Sequence, residues 1–554
     1  MRMKNAVRLG FCAIVLLFTL SPLIGFFATT SRLGGAEKTT NDLWQILTAP
    51  STFRSLSFTL SQALVSSVLA LLVGIPGAYL VAKYNFPGRR VLLALSAVPF
   101  CLPPVLVVLS FVLFYGRTGW LTKLLTLLSQ SLGFSNLGST NGFLYGFWGL
   151  VFIHAFYNFP IVIQNVGKVW EQLPQSREEA ARTLGAKRLE AFRVGTLPYL
   201  LPSILQSMSL IFLFCFFSFT IVLVFGSLEG STLEVDIYRA LSFNGDSQKA
   251  LVLAAIQTCI ALGIAWALAR FGQGASAMMK DYGATRPRKR PKRFAVLFVV
   301  LYSAFIGVFF IGPLLALTLE AFTVTDSPGG TPRFGFENFV RLTGRGYFQS
   351  ENLLGLSLAH SLTVSTIAAL LAIGIGLTVA MAVRRQKSSR FSTILTTLPM
   401  AISPVLTAFG WAIISGTISV TDRNLANNAA MILAQSTIAW PFVAKSVIAA
   451  LDGLGLQKYD AARTLGASPL KATIRVELGE IWPSILSAAA FAFSMTIGDS
   501  NIALVLGGGQ ETLPVLIYRL ISSYRFNEAC AAGLILAFLT GIAFFFKEKP
   551  NGTA

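Results

Sequence analysis

Charged side chains are scarce in this sequence of 554 residues. Aspartate, glutamate, lysine and arginine together make up 12% of it, whereas hydrophobic residues make up 54%. Soluble proteins carry roughly 25% charged residues, so the composition excludes an ordinary soluble protein of this size. It also excludes a disordered chain, which needs low hydrophobicity and high charge. The remaining class is a protein that crosses a membrane many times.

Histidine and cysteine are also rare, and neither has the spacing of a metal site. The two histidines, His154 and His360, lie far apart, and the five cysteines are spread through apolar runs. A zinc site needs several such ligands at short and regular spacing. We therefore predict no metal site, no catalytic residue and no cofactor in this chain.

Acidic residues are outnumbered by basic ones, 24 against 44, which gives a net charge of +20. In a soluble protein such an excess suggests nucleic acid as a partner. The densest basic run, residues 271–293, ends in RPRKRPKR and lies between two apolar stretches. We interpret it as a cytoplasmic linker that contacts anionic lipid head groups, and we predict no nucleic-acid partner.

Long apolar runs, by contrast, are abundant. A membrane-spanning helix needs about 20 mostly apolar residues, and twelve stretches meet this length. They lie near 9–28, 56–82, 91–114, 144–167, 198–225, 248–270, 294–318, 357–383, 391–415, 429–450, 481–507 and 528–546. The sequence therefore predicts an all-α polytopic membrane protein with about twelve transmembrane helices.

Basic residues also set the expected orientation. Cytoplasmic loops carry an excess of lysine and arginine, and most of the 44 basic residues fall on the cytoplasmic side if the N-terminus is placed there. Because twelve is an even number, the C-terminus is then expected in the cytoplasm too. The first stretch follows Arg2, Lys4 and Arg8 as in a signal peptide, but no small-residue cleavage site closes it. We interpret it as an uncleaved anchor.

One short segment occurs twice. AARTLGA stands at residues 180–186 and again at 461–467, an offset of 281 residues, and PSIL recurs at the same offset at 202–205 and 483–486. Both copies of AARTLGA lie between the fourth and fifth stretch of their half. This equal placement predicts two parallel six-helix repeats. The chain then divides into a first half at 1–270, the linker at 271–293 and a second half at 294–554.

Each copy lies in a polar loop, at about 170–198 and about 451–479. We expect a short helix followed by a turn, because Gly185 and Gly466 suit the left-handed conformation that often ends a helix. The paired alanines before each glycine leave a flat strip that another protein can approach closely. The residues expected to form this surface are Glu179, Ala180, Ala181 and Gly185 in the first copy and Asp460, Ala461, Ala462 and Gly466 in the second.

These residues resemble the EAA loop of binding-protein-dependent ABC importer permeases, and the resemblance covers both halves of the chain. We name the segments 170–198 and 451–479 the first and second EAA loops. They depart from the family pattern at Asp460 in place of glutamate, at Gly479 in place of proline and at Gly195, where isoleucine is usual. The resemblance implies a type I ABC importer permease fold, in which each loop enters a cleft of an ATPase subunit.

The resemblance also implies partners. The sequence contains no G-x-x-x-x-G-K-[ST] phosphate-binding loop, so we expect a separate ATPase that uses ATP and Mg²⁺. Two EAA loops imply two copies of that ATPase. The stretch 319–356, on the outer side, is too short for a solute-capturing domain, which implies a separate periplasmic binding protein. The expected location is the inner membrane of a bacterium.

The solute is less firmly indicated. Fused permeases of this length are typical of thiamine and ferric-iron importers in the family. IYRALS at 237–242 and SSYR at 522–525 are most similar to thiamine permeases and favour thiamine or its phosphate esters. Ser500 and Asn501 depart from the aromatic-containing continuation expected after Asp499, so a ferric-iron importer remains an alternative. From a different class, an ion-driven secondary transporter would be expected to hold more ionisable residues in its spans and needs no paired EAA loops.

Asp499 is the only acidic residue well inside any of the twelve stretches. A carboxylate at membrane depth costs roughly several kcal/mol unless it faces water or a partner, which makes it a functional candidate. Thiamine and ferric iron are both cationic, and our hypothesis is that Asp499 lines the path of the cation. Thr496 and Ser218 are further candidates for that path. A carboxylate that pairs helices or forms a gate is the alternative.

Overall fold

The computed structural model describes residues 2–33, 40–89, 92–93, 102–131, 145–174, 176–225, 230–280, 288–324, 331–344, 352–384, 395–417, 423–454, 457–507 and 511–547. Nearly all of these residues are helical. The helices of the first part are α1 Arg2–Leu33, α2 Thr40–Thr48, α3 Pro50–Lys83, α4 Pro104–Tyr115, α5 Trp120–Ser131, α6 Phe147–Gln172, α7 Ser176–Thr183, α8 Arg188–Gly195, α9 Leu197–Phe216, α10 Thr220–Phe225, α11 Leu233–Ser242 and α12 Ser247–Lys280.

The remaining helices begin after the linker. They are α13 Arg293–Ile306, α14 Gly312–Ala321, α15 Glu337–Leu342, α16 Leu353–Val383, α17 Pro404–Thr417, α18 Arg423–Leu454, α19 Gln457–Thr464, α20 Pro469–Ala472, α21 Trp482–Ile497, α22 Asn501–Leu506, α23 Leu513–Ser522 and α24 Phe526–Lys547. Single π-helical turns at Gly307–Ile311 and Thr473–Leu478 and a 3₁₀ turn at Leu398–Ala401 join some of them. Strands β1 (Thr323–Val324) and β2 (Arg333–Phe334) form one short antiparallel pair.

The predicted all-α membrane architecture is confirmed. Within the described residues, nine helical segments are long and apolar enough to cross a membrane, and the bent pair Leu395–Ala401 and Pro404–Thr417 makes up to ten. Two shorter apolar helices, Trp482–Ile497 and Phe526–Ile542, coincide with the last two predicted stretches. The apolar runs in the sequence therefore located most of the helices, while several helix ends differ. In the predicted stretch 91–114, residues 91 and 94–101 lie outside the described residues, and the helix there begins at Pro104.

Three predicted stretches are not the continuous helices that the sequence suggested. The stretch 391–415 bends by 90° where Leu395–Ala401 meets Pro404–Thr417, and residues 391–394 lie outside the described residues. The stretch 198–225 is interrupted between Phe216 and Thr220, and the stretch 481–507 is interrupted between Ile497 and Asn501. An apolar run specifies membrane burial but not straightness, so hydropathy did not reveal these breaks.

Packing divides the chain into two compact units. The first unit contains residues 1–38, 101–104 and 321–554, and the second contains residues 39–100 and 105–320. This division differs from the predicted halves, which follow the sequence repeat: helix α1 packs within the first unit, and residues 293–320 pack within the second. The sequence repeat and the packing therefore describe different groupings of the same helices.

Each unit has its own core. In the first unit α16 packs along α18, and α1 packs along α17, where the Phe18 and Trp411 ring centroids are 5.3 Å apart. In the second unit α3 packs along α6, and α13 contacts α3 through the Tyr302 hydroxyl, which donates to the Val73 carbonyl at 3.0 Å. Each of the two units thus buries a long helix against the helix that leads into an EAA loop.

Candidate functional site

The two EAA loops have the same local fold. Helices α7 (Ser176–Thr183) and α19 (Gln457–Thr464) have the same length, and their ends are 281 residues apart, the offset of the sequence repeat. After the turn, the first loop continues as α8, whereas the second continues as α20 and the π-helical turn Thr473–Leu478. The repeated sequence therefore gives a repeated structure up to the turn, and the loops diverge beyond it.

The turn in each loop has the left-handed glycine that the sequence predicted. Gly185 has φ +90° and Gly466 has φ +87°, and a Cβ atom at either position would meet no atom within 4 Å. The amide of Ala186 donates to the Ala181 carbonyl at 3.1 Å, and the amide of Ala467 donates to the Ala462 carbonyl at 3.0 Å. These bonds close a Schellman motif, so the backbone conformation and not lack of space requires glycine.

The predicted contact surface is open to solvent in both loops. Glu179, Ala180, Asp460 and Ala461 are exposed, and Ala181 and Ala462 are partly exposed. Sequence reasoning missed the residue next to each glycine: Leu184 is 90% exposed and its repeat equivalent Leu465 is 88% exposed. Two solvent-exposed leucines at equivalent positions of the repeat indicate a surface that another protein covers.

An ion pair joins each EAA loop to the end of a long helix, α16 for the second loop and α3 for the first. In the second loop, Arg384 Nη1 at the end of α16 lies 2.7 Å from Glu477 Oε1, with side chains only 5% and 4% exposed. In the first, Lys83 Nζ at the end of α3 lies 3.8 Å from Glu178 Oε2, and both side chains are about a quarter exposed. Glu178 also accepts a hydrogen bond from the Thr196 hydroxyl. The second loop is therefore anchored by a buried pair and the first by a more exposed one.

Glu171, at the end of α6, binds the basic linker within the second unit. Its carboxylate pairs with Arg89 at 3.3 Å and with Arg288 of the linker. The linker backbone also bonds to the end of α3, since the Asn85 amide donates to the Lys289 carbonyl at 2.9 Å. Residues 281–287 lie outside the described residues. The start of this segment continues α12 to Lys280, and its later part binds protein groups, which the sequence did not predict.

The breaks in the two predicted fifth spans lie at equivalent positions. Ser218 lies between α9 and α10, and Asp499 lies between α21 and α22, an offset of 281 residues. The neighbouring helices supply equivalent partners, because His154 on α6 and Gln435 on α18 are separated by the same offset. Two of the three predicted path residues therefore occupy matching sites in the two repeats.

The two sites differ in charge and burial. His154 Nε2 lies 2.8 Å from the Ser218 hydroxyl, and both side chains are buried. The Asp499 carboxylate is partly exposed, accepts the amides of Asn501 and Ile502 at 3.2 Å each, and interacts with the Gln435 side chain. The site in the second repeat thus holds a carboxylate where the first holds a neutral hydroxyl.

Thr496, the third path candidate, is positioned differently. Its side chain is 3% exposed, and its hydroxyl lies 3.1 Å from both the Ser365 and Phe493 carbonyls. A hydroxyl that is bound to backbone carbonyls of two helices contributes to helix packing. Thr496 lies three residues before Asp499, but the structure does not bring its hydroxyl to the same group.

Comparison with known proteins identifies the family. Residues 70–312 and 372–546 match the family described as the binding-protein-dependent transport system inner membrane component. The chain belongs to this family. The matched segments contain both EAA loops and both helix breaks. The ion-driven secondary transporter, considered from the sequence, does not agree with this membership.

The chain is also similar to several curated permeases. The thiamine transport system permease protein ThiP of Brucella abortus strain 2308 is 28% identical over 503 residues, which cover 88% of this chain and 86% of that protein. ThiP of Haemophilus influenzae is 26% identical over 549 residues, or 96% and 94% of the two chains. ThiP of Escherichia coli K12 is 25% identical over 504 residues, or 89% and 88%. The alignments extend through both halves, so this permease shares their fused architecture.

The described residues of this permease offer groups that can bind other molecules and loops that can move. Among the described residues, no group of three or more histidine, cysteine, aspartate or glutamate side chains is placed to hold a metal ion. The two exposed EAA turns offer surfaces for protein contacts, and the helix break at Asp499 offers a carboxylate within the predicted apolar stretch 481–507.

Proposed function

We propose that this permease forms the membrane path of an ATP-driven thiamine importer and carries thiamine or its phosphate esters from a periplasmic binding protein. The observation that carries the proposal is its alignment with thiamine-named permeases over 86% to 94% of their length. Transport would proceed by alternating access, since a path open to both sides at once would dissipate the solute gradient.

In this proposal a separate ATPase supplies the energy, and two copies bind one permease. The two EAA loops support this, because each presents the same exposed turn with Leu184 or Leu465 at its tip. ATP and Mg²⁺ act in the ATPase, and the permease has no cofactor of its own. The ion pairs at Glu178 and Glu477 would transmit movement of the loops to α3 and α16.

The proposal includes a topology with both EAA loops and both termini on the cytoplasmic side of a bacterial inner membrane. The basic residues of the loops and linker support this orientation. Basic linker residues outside the contacts with Glu171 and α3 would meet anionic lipid. The Asp499 site would then lie within the membrane, on the path of a cationic solute.

Reconstitution tests the function directly. The permease, its ATPase and its binding protein are placed in proteoliposomes, and uptake of radiolabelled thiamine is measured with and without ATP. We expect ATP-dependent uptake that requires the binding protein. Uptake of ferric iron without uptake of thiamine would favour the iron importer instead. Uptake by the permease alone in the absence of ATP would contradict the importer mechanism.

A further inference from the structure

The helix break at Asp499 combines features of a cation-binding site. We propose that Asp499 and Gln435 form a subsite that holds thiamine during transfer, with the Asp499 carboxylate facing the cationic thiazolium ring and the Gln435 amide oxygen accepting from the aminopyrimidine group. This inference rests on the proposed function, since it names thiamine as the ligand. Its argument comes from the residues around the break.

Charge is the first observation. Helix α21 ends at Ile497, and the partial negative charge of its C-terminal carbonyls lies beside the Asp499 carboxylate. Discontinuous membrane helices elsewhere use such C-terminal ends to bind cations. The start of α22 offsets part of this negative charge, because its Asn501 and Ile502 amides donate to the carboxylate, and Asp499 is partly exposed at the break.

Gln435 provides the second and independent observation. Its side chain is 3% exposed and interacts with Asp499, yet its Oε1 atom has no hydrogen-bond partner among the described residues. A buried acceptor without a partner costs roughly 1–3 kcal/mol, which a ligand donor would recover. An acceptor next to a carboxylate suits a ligand that has both positive charge and an N–H donor. Thiamine has both.

The equivalent site in the other repeat lacks the carboxylate, although His154 Nδ1 there is likewise a buried atom without a hydrogen-bond partner among the described residues. His154 and Ser218 bind each other and are both buried, and Ser218 is flanked by Phe217 and Phe219 where Asp499 is flanked by Gly498 and Ser500. The first repeat thus has neither the carboxylate nor the small neighbours. We infer that the two repeats have diverged, and that the cation subsite belongs to the second.

A purely structural role of Asp499 makes a different prediction. Its carboxylate accepts the amides of Asn501 and Ile502 at the start of α22, as a capping residue does. Asparagine and aspartate cap helices about equally well. The substitution Asp499→Asn removes the charge but has a single acceptor oxygen, so it keeps at most one of the two amide bonds. Gel filtration and ATP hydrolysis therefore report the structural loss, and the ratio of uptake to ATP hydrolysis reports the loss of charge.

The test measures thiamine taken up per ATP hydrolysed in proteoliposomes that contain the complete importer and saturating loaded binding protein. For Asp499→Asn we expect about a tenfold lower ratio, with ATP hydrolysis within twofold of wild type. Gln435→Leu is expected to lower the ratio in the same direction, and Asp499→Glu to recover part of it. Ser436→Ala is the control, because Ser436 lies next to Gln435 on α18 and its hydroxyl donates to the Leu433 carbonyl of the same helix, and it is expected to change the ratio less than twofold.

The outcomes separate the subsite from the proposed function. If the wild-type importer does not take up thiamine, the proposed function fails. If wild type takes up thiamine and Asp499→Asn has an unchanged ratio, the subsite is refuted while the function stands. A parallel loss of uptake and ATP hydrolysis in Asp499→Asn would show a general defect and would also overturn the subsite. Gel filtration of each variant confirms folding, and Gln435→Leu decides the question if Asp499→Asn does not fold.

Discussion

The buried ion pair between Arg384 and Glu477 allows a quantitative prediction. Substitution Glu477→Gln removes the carboxylate that lies 2.7 Å from Arg384, with both side chains at most 5% exposed. Removing one partner of a buried pair typically costs about 3–5 kcal/mol, because a charge stays buried without its counter-ion. The matched substitution in the first EAA loop, Glu178→Gln, affects a pair at 3.8 Å that is about a quarter exposed. Exposed pairs contribute roughly 0–1 kcal/mol, and the glutamine oxygen can still accept the hydrogen bond from the Thr196 hydroxyl.

Thermal unfolding of the detergent-solubilised permease measures this difference. Cys215 and Cys530 are buried and Cys259 is exposed, so in a Cys259→Ala background a fluorophore that reacts with thiols reports the exposure of the buried pair on unfolding. Since 1 kcal/mol shifts the midpoint of a domain of 150–250 residues by about 2–4 °C, we expect Glu477→Gln to lower it by at least about 6 °C. Glu178→Gln should lower it by less than half as much. Equal midpoints for the two variants would refute the reasoning. The double variant Arg384→Met/Glu477→Leu should recover stability, because apolar replacement removes the unpaired charge, and failure to recover it would also refute the reasoning.

Three further substitutions test other features of the structure. Gly466→Ala should destabilise the second EAA loop by about 1–2 kcal/mol because of its positive φ, measured by the same thermal assay. Gly410→Ala should lower the free energy of unfolding by about 1–3 kcal/mol, since the new Cβ would lie 2.0 Å from the Pro22 carbonyl oxygen. Gly416→Ala is the control: its Cβ would meet no atom within 4 Å, so the substitution should be neutral or stabilising. Leu465→Ser should leave the unfolding midpoint unchanged but reduce co-purification of the ATPase at least severalfold, and undiminished co-purification would show that the exposed turn is not the contact surface.

The sequence predicted most of the helices and the turns of the EAA loops, because these depend on local patterns. Apolar length located the spans, and a repeated seven-residue segment with a glycine identified both turns before their φ values were known. The breaks at Ser218 and Asp499 were not predicted. The residues around Ser218 are apolar, and the polar run GDSN at 498–501 is short within a stretch whose overall length and hydropathy suggested one span. The pair of Arg384 and Glu477 joins residues 93 positions apart. No local period connects such residues, so only the folded structure brings them together.

Biosynthesis of this protein is affected by the placement of its first helix. Helix α1 (Arg2–Leu33) packs against α17 (Pro404–Thr417), and about 370 residues separate the two in the chain. At about 5–20 residues per second, the ribosome needs roughly 20–70 s to make the missing partner. During that time α1 must stay in the lipid without the neighbour that later covers it. A chain truncated before α17 would leave that face of α1 without this partner, so complete burial of the first helix depends on synthesis of the second half of the chain.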